Sequence, residues 1–418
     1  TEINMALDSG DIAWVLTATA LVMIMTPGLG FFYGGLVRKK NLVSTVVQTI
    51  AIFSIVSLVW SLWGYSLAFA PSVFKGLLGN LSKVALINVG ITPNSVYSNT
   101  IPELLYFAFQ LKFAAITPAL IIGAFAERIR FKALLIFIVL WTSLIYAPIA
   151  HWVWGDGGWL KSLGVIDFAG GLVVHISAGV SALAAAIVIG RRKGIENSNS
   201  IRPGNIPYVI LGAAILWFGW FGFNGGSALA ANAIAVQALV NTNMAAAAGA
   251  VSWMLVDWMR KGKPSAVGIA VGAVCGLVAI TPAAGYVGVG PAIIIGLVVG
   301  VLSNYVANWR ASRTKLDDSL DVFACHGVGS MWGVLATGIF ASTAINVGGP
   351  NGLLYGNPQL LLIEAFAIAV VAGFAFAGSF LLLKLIGVFT PLRVTAAEEE
   401  AGLDLSEHGE EAYGSGLD

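Results

Sequence analysis

The sequence predicts an all-α polytopic membrane protein, and three observations point there. Of its 418 residues 58% are hydrophobic and only 10% charged, where a soluble domain carries about 25% charged residues. Apolar stretches long enough to cross a bilayer recur from end to end, and basic residues gather in every second loop between them. The fifty glycines suit membrane helices, whose backbones approach closely at small residues. A net charge of +1 argues against nucleic acid as a partner.

A helix needs about 20 mainly apolar residues to span the hydrocarbon. Eleven stretches qualify: 11–36, 42–69, 102–126, 132–153, 167–190, 206–226, 232–258, 265–283, 289–309, 321–342 and 359–388. The opening TEINMALDSGD is acidic and lacks the basic n-region of a secretory signal, so an uncleaved, outward-facing N-terminus is expected. Arg38, Lys39 and Lys40 follow the first stretch, and Arg128, Arg130 and Lys132 the third. Arg191, Arg192, Lys193 and Arg202 follow the fifth, Arg260, Lys261 and Lys263 the seventh, and Arg310, Arg313 and Lys315 the ninth. The alternate loops hold only Lys75, Lys83 and Lys161. By the positive-inside rule the C-terminus then lies in the cytoplasm.

The polar loop RRKGIENSNSIRPGNIP divides the spans, with five before it, five after and one left over. An odd number per half forces the second half to insert upside down, the inverted repeat of many transporters, whose sites lie near the midplane between halves. The expected organisation is a membrane domain over 1–392 and a cytoplasmic tail over 393–418. Within the domain the halves are 11–190 and 206–342, with the eleventh helix at 359–388. The tail is short and acidic. Such composition suits a solvated end, while its interspersed Leu and Tyr leave room for an ordered docking segment.

Two stretches carry chemistry into these apolar runs. DFAGGLVVHISAG holds Asp167 and His175, and DVFACHGVGSMWG holds Asp321 and His326. An ionisable side chain in hydrocarbon costs about 2.5–3.5 kcal/mol on insertion scales and is read as functional by default. His175 and His326, each in the fifth span of its half, would meet at the centre of the bundle. Neutral imidazole both donates and accepts a hydrogen bond, which suits a small polar solute better than an ion. Asp167 and Asp321 are each placed to cap the start of a helix. Two histidines without a carboxylate or thiolate set fall short of a metal site, and Cys325 lies on a different helical face from His326. Cys275 and Cys325 both fall in spans, so no disulfide framework is inferred. Neither a cofactor nor an enzymatic nucleophile is indicated.

Most aromatics belong to interfacial belts or packing. Trp154 ends the fourth span on the outer side, Phe113 lies halfway along the third, and Phe223 sits in WFGFNGGS near the outer end of the sixth. Aromatic faces hold a cation that is shedding water, at about 0.5–2 kcal/mol, and Ser227 would add a hydroxyl.

The whole chain resembles the ammonium transporter family (Amt/Mep/Rh), in particular its bacterial and archaeal Amt branch. The stretches that carry the likeness are PGLGFFYGGLVRKKN, AFAERIRF, PIAHWVWGDGGWL, DFAGGLVVHISAG, WFGFNGGSA, GKPS, ITPAAGYVGVG, DVFACHGVGSMWG and GLDLSEHGEEAY. The resemblance implies a homotrimer of eleven-span protomers in the cell membrane, each with its own pore for ammonium and for methylammonium. It implies that Phe113, Trp154 and Ser227 recruit ammonium in an outer vestibule and that Asp167 supports them. Phe113 and Phe223 match the stacked phenyl gate, and His175 and His326 the twin histidines of the conduit. Rh members typically lack the Trp and Ser. Tails of this kind help regulation by PII signalling proteins at the cytoplasmic face. Lys112 departs from what a cation gate wants beside Phe113; adjacent helix positions diverge by about 100°, so it is expected to turn away from the pore. The alternative reading is an ammonium sensor on the same fold, although a 26-residue tail is short for an output domain.

Overall fold

The computed structural model describes residues 6–194 and 201–414. The first residues of the acidic N-terminus and the middle of the loop dividing the halves lie outside them. Among the described residues ten helices are long and apolar enough to cross a membrane. The first, α1, spans Ser9–Leu36, with the Asp8 side chain accepting the Asp11 N–H at its start. Next, α2 (Leu42–Val59) continues through a π-turn, Trp60–Gly64, into Tyr65–Phe69. It is followed by α3 (Glu103–Ile121), and then α4, which runs Phe131–Trp141, Thr142–Tyr146 and Ala147–Trp154. The next two are α5 (Gly171–Ile189) and α6 (Ile206–Gly225). The second half continues with α7 (Ala233–Lys261), α8 (Ala266–Ile280), α9 (Val289–Arg313), α10 (Phe323–Phe340) and α11 (Pro358–Phe389). Small two-stranded antiparallel ribbons, Ser72–Val73 with Leu78–Gly79 and Pro93–Asn94 with Ser98–Pro102, decorate the loops.

The exception to the expected spans is α8. It has 15 residues, about 22 Å at 1.5 Å per residue, short of a roughly 30 Å core. The helix stops ahead of Pro282, and the irregular backbone beyond it is buried apart from half-buried Tyr286 and Gly288. Such backbone survives at membrane depth only inside protein, where its polar groups find partners. Asn241 of α7 supplies them, its Nδ2 donating to the Ala284 and Val287 carbonyls at 2.9 and 2.8 Å.

A buried cluster of charges sits at the end of the bundle where the basic loops meet. Glu127 accepts from the Arg38 amide and guanidinium at 2.6 and 2.8 Å, and Arg192 reaches Glu127 at 3.2 Å and Asp317 at 2.8 Å. Arg128, fully buried, donates to the carbonyls of Ala124, Ala126, Gly190 and Asp317. Four inter-span connections are thereby tied together, and the two halves of the chain with them. Burial pushes the Asp317 carboxyl up, but the Arg192 hydrogen bond and the Arg128 and Arg192 charges outweigh it and hold the group well below its usual range. Burial likewise opposes Glu127, which Arg192 and Arg38 nevertheless hold low.

Residues 393–414 of the tail are ordered. Two short helices, α12 (Ala396–Ala401) and α13 (Leu403–His408), lie against the loops before α2 and α4. Thr395 and Glu398 close a capping box on α12, and Arg130 pairs with Glu398 at 3.0 Å. Asp404 accepts the Val43 and Ser44 amides at 3.0 and 2.7 Å, capping α2 from 360 residues away. Tyr413 receives a hydrogen bond from Asn205 and lies under Lys39.

Removing one partner of a buried ion cluster costs about 3–5 kcal/mol because the other charge stays buried and unpaired. Arg192→Leu should therefore lower the melting temperature of the detergent-solubilised protein markedly. Because the folded pKa values of Asp317 and Glu127 lie below their unfolded ones, their stabilisation is complete above about pH 4–5. It should be lost as pH falls through the depressed values, and thermal melts across an acid series would read the loss.

Candidate functional site

Both histidines ride on π-turns that open their helices. His175 lies in Gly171–Ile176 and His326 in Phe323–Val328. The widened turn re-aims a side chain without ending the helix, which is where such turns occur in functional sites. Each helix start is held by a carboxylate. Asp167 accepts the amides of Gly170, Gly171, Leu172 and Val173 at 2.6–3.2 Å, and Gly170 makes the turn into the helix with φ +119. Those four donors fill the acceptor sites of the carboxylate, so Asp167 acts on the site through the backbone it holds.

Asp321 does not cap α10 as expected. Asp318 does, accepting the Val322 and Phe323 amides at 3.1 and 2.8 Å, while Asp321 turns back to Arg310 at 2.8 Å with φ +55. The signal was in the spacing. Asp318 precedes His326 by eight residues, as Asp167 precedes His175, so the equivalent acids are Asp167 and Asp318.

The two helices cross where Gly179 meets Gly327. A Cβ on Gly179 would lie 2.2 Å from the Gly327 nitrogen, so only bare backbone lets α5 and α10 come this close. The approach brings His175 Nδ1 within 3.1 Å of His326 Nδ1, with ring centroids 5.2 Å apart. Both side chains are buried, at 1% and 3% exposure. Neutral imidazoles joined through Nδ1 must be opposite tautomers, one donating and one accepting. The outer nitrogens are then one bare Nε2 and one Nε2–H. His175 Nε2 has no partner among the described residues, so the pair offers an acceptor and a donor to a small solute. Cys275 and Cys325 are both buried, with Sγ atoms 3.2 Å apart, and turn to each other rather than to the histidines.

Aromatic rings continue from the histidines in one series. His175 contacts Phe223 at 6.0 Å between centroids, Phe223 contacts Phe113 at 4.2 Å, and Phe113 contacts Trp154 edge-on at 6.1 Å. Phe113 and Phe223 are 1% and 0% exposed and occlude the passage. On the histidine side the centre of a water molecule has only about 10 Å³ in which to move, room for about one. On the other side a cavity of about 530 Å³ is lined by Trp154, Ser227, Asp167 and Phe113. The Ser227 Oγ donates to the Phe223 carbonyl at 2.7 Å, which leaves its lone pairs to accept. Trp154 donates Nε1 to the Asp167 carbonyl at 2.8 Å, setting its ring against the cavity.

Sequence reasoning missed several residues here. Trp220 stacks on His175 at 5.3 Å and 15° and donates to Thr281; it lies three residues before Phe223, on the same helical face, which was the available signal. Gln110, Phe109, Tyr97, Tyr106 and Tyr286 also line the large cavity, and only the fold assembles them. Lys112 takes no part in it. Its Nζ lies 4.9 Å from the centre of the Phe53 ring, turned from the cavity as expected but paired with an aromatic face rather than a polar group. No group of three or more metal-ligating side chains occurs among the described residues.

A family profile described as Ammonium Transporter Family matches residues 13–413. An ammonium transporter of Bacillus subtilis is 49% identical over 97% of this chain and 98% of its own. Among solved structures, Candida albicans Mep2 superposes with TM-score 0.88 at 38% identity, covering 95% of this chain and 89% of that one. A structure described as a sensor Amt protein gives TM-score 0.88 at 32% identity, covering 96% and 98%.

Because Lys112 faces Phe53, Lys112→Met should leave methylammonium uptake by proteoliposomes within about twofold of the parent, since surface-type changes away from a site are worth about ±0.5 kcal/mol. Much faster uptake in the variant would place the cation at the gate instead.

Proposed function

The chain belongs to the ammonium transporter family and transports ammonium, and we propose that it admits the ion to the cell by capturing NH4+ and passing NH3 along the ring series. NH4+ docks against Trp154 and Phe113 and donates to Ser227, exchanging hydration for aromatic faces worth about 0.5–2 kcal/mol. A bare cation cannot enter apolar walls without a large desolvation penalty. The proton is therefore given up to water of the large cavity ahead of the Phe113–Phe223 gate. Neutral ammonia passes His175 and His326, accepting from one and donating to the other, and takes a proton from water on the inner side. The observation that carries this reading is the unbroken contact series from Trp154 to His326, polar at one end and narrow at the other. Asp167 keeps the recruitment site in shape through the Trp154 indole.

The proposal places the chain in the cytoplasmic membrane with eleven spans, α8 and its buried extension counting as one. The N-terminus is outside, the C-terminus inside, and the two five-span halves are inverted repeats. The matched pairs Asp167–His175 and Asp318–His326, each on a π-turn, support the repeat. A homotrimer, and a PII-type regulator at the inner face, follow from family likeness. No metal or cofactor and no covalent chemistry enter this reading.

The likeness to a sensor protein keeps one alternative, occupancy of the same site reported to a cytoplasmic partner. Its tail would be the output, yet here residues 393–414 pack back onto the membrane domain.

Solid-supported-membrane electrophysiology and isotope flux on proteoliposomes separate the readings. Ammonium-dependent flux supports transport; saturable ammonium binding without flux would favour the sensor. His175→Ala/His326→Ala should cut flux by about tenfold or more, as loss of about 1.4 kcal/mol would, and wild-type flux would remove the pair from the mechanism. Ser227→Ala should raise the half-saturating ammonium concentration by about tenfold, the effect of a lost hydrogen bond to a charged group, with the maximal rate largely kept.

A further inference from the structure

The eleventh helix contributes one acid to the bundle, and the transport reading gives it no task. Glu364 lies in the second turn of α11 and is fully buried. A carboxyl group inside a membrane span is costly enough that its partner identifies its purpose. That partner is main chain. Glu364 Oε1 accepts the Ile166 amide at 2.8 Å, while its Oε2 has no partner among the described residues. The peptide so held belongs to the loop that leads into α5. One residue on, the Asp167 carbonyl accepts the Trp154 indole N–H at 2.8 Å, and the Asp167 carboxylate begins its four amide bonds. Phe168 N–H closes the other side, donating to the Pro282 carbonyl at 3.1 Å. Ile166, Asp167 and Phe168 all line the large cavity, so this short stretch forms part of its wall. It is held at one edge by the eleventh helix and at the other by the second half of the chain.

We propose that Glu364 is a positioning residue for ammonium recruitment: by fixing the Val165–Ile166 peptide it anchors the loop whose Asp167 carbonyl, two peptide units on, holds the Trp154 ring. Without the acceptor, the Ile166 amide is left unpaired in a dry site and the loop relaxes to find another partner. The Trp154 indole follows the Asp167 carbonyl. The cation then meets a misplaced aromatic face, while the histidines keep their places because the Gly179–Gly327 crossing and the Asp167 amide bonds hold α5. Capture weakens and passage does not. The role needs an acceptor oxygen at Oε1 and not a charge, which separates it from a proton-carrying role for the same carboxyl.

This inference rests on the transport reading, and one experiment distinguishes their failures. Proteoliposome uptake is measured over a range of ammonium concentrations for the parent, Glu364→Leu, Glu364→Gln, Trp154→Leu and the Trp154→Leu/Glu364→Leu double variant, with Glu364→Met replacing Glu364→Leu if the latter is not recovered folded. Glu364→Leu should raise the half-saturating concentration by about tenfold with the maximal rate retained, and Glu364→Gln should restore it towards the parent value. In the Trp154→Leu background the effect of Glu364→Leu should disappear, because residues acting through one contact are not additive. Additive effects, a half-saturating concentration unchanged in Glu364→Leu, or a Gln variant as impaired as the Leu variant would each overturn the positioning role. No flux in the parent protein would instead overturn the transport reading beneath it.

Discussion

Everything in this molecule is subordinate to one hydrogen bond, the 3.1 Å contact between His175 and His326. It joins the two halves of the chain at a point from which water is nearly excluded. Groups of such polarity reach that depth only if something else satisfies their surroundings. Here the glycines at the α5–α10 crossing let the backbones approach, Trp220 covers one imidazole face, and paired π-turns aim both rings at each other. A bond between neutral tautomers keeps one donor and one acceptor in reserve. The small cavity beside the pair is otherwise lined by apolar and aromatic side chains, a setting that suits a neutral molecule able both to give and to take a hydrogen bond.

A second constraint shapes the helices themselves. A helix that starts inside the membrane leaves amide N–H groups that no water can reach. Asp167 and Asp318 meet this need with carboxylates, each eight residues ahead of its histidine. The site is thus built from two copies of one device: an acid that starts the helix, a π-turn, and an imidazole on that turn. At one end of the bundle Arg38, Glu127, Arg192 and Asp317 neutralise each other.

Much of this was legible in the residues. Ten of the apolar stretches became long helices, and the histidines met, because burial of apolar surface and the expense of an isolated polar group act on composition and position alone. What stayed hidden depended on partners distant in sequence. Nothing local says that Asn241 completes the backbone after α8, that Asp404 starts α2, or that Gln110 and Trp220 face the passage. Asp321 was mistaken for a cap because it stood nearest the apolar run; Arg310, eleven residues earlier, competes for it, and Asp318 takes the amides. For Lys112 the direction followed from helical geometry, while its companion, Phe53, could only come from packing.

The carboxylate that Asp404 lends to the opening of α2 changes how shortened versions of this protein would have to be interpreted. The C-terminal segment is a structural strap as well as an appendage, since excising it uncaps a membrane helix near Lys39 and Lys40 and strands the Asn41 amide oxygen that holds Leu403. A truncation phenotype would therefore carry the fraying of a membrane helix along with the loss of the segment itself.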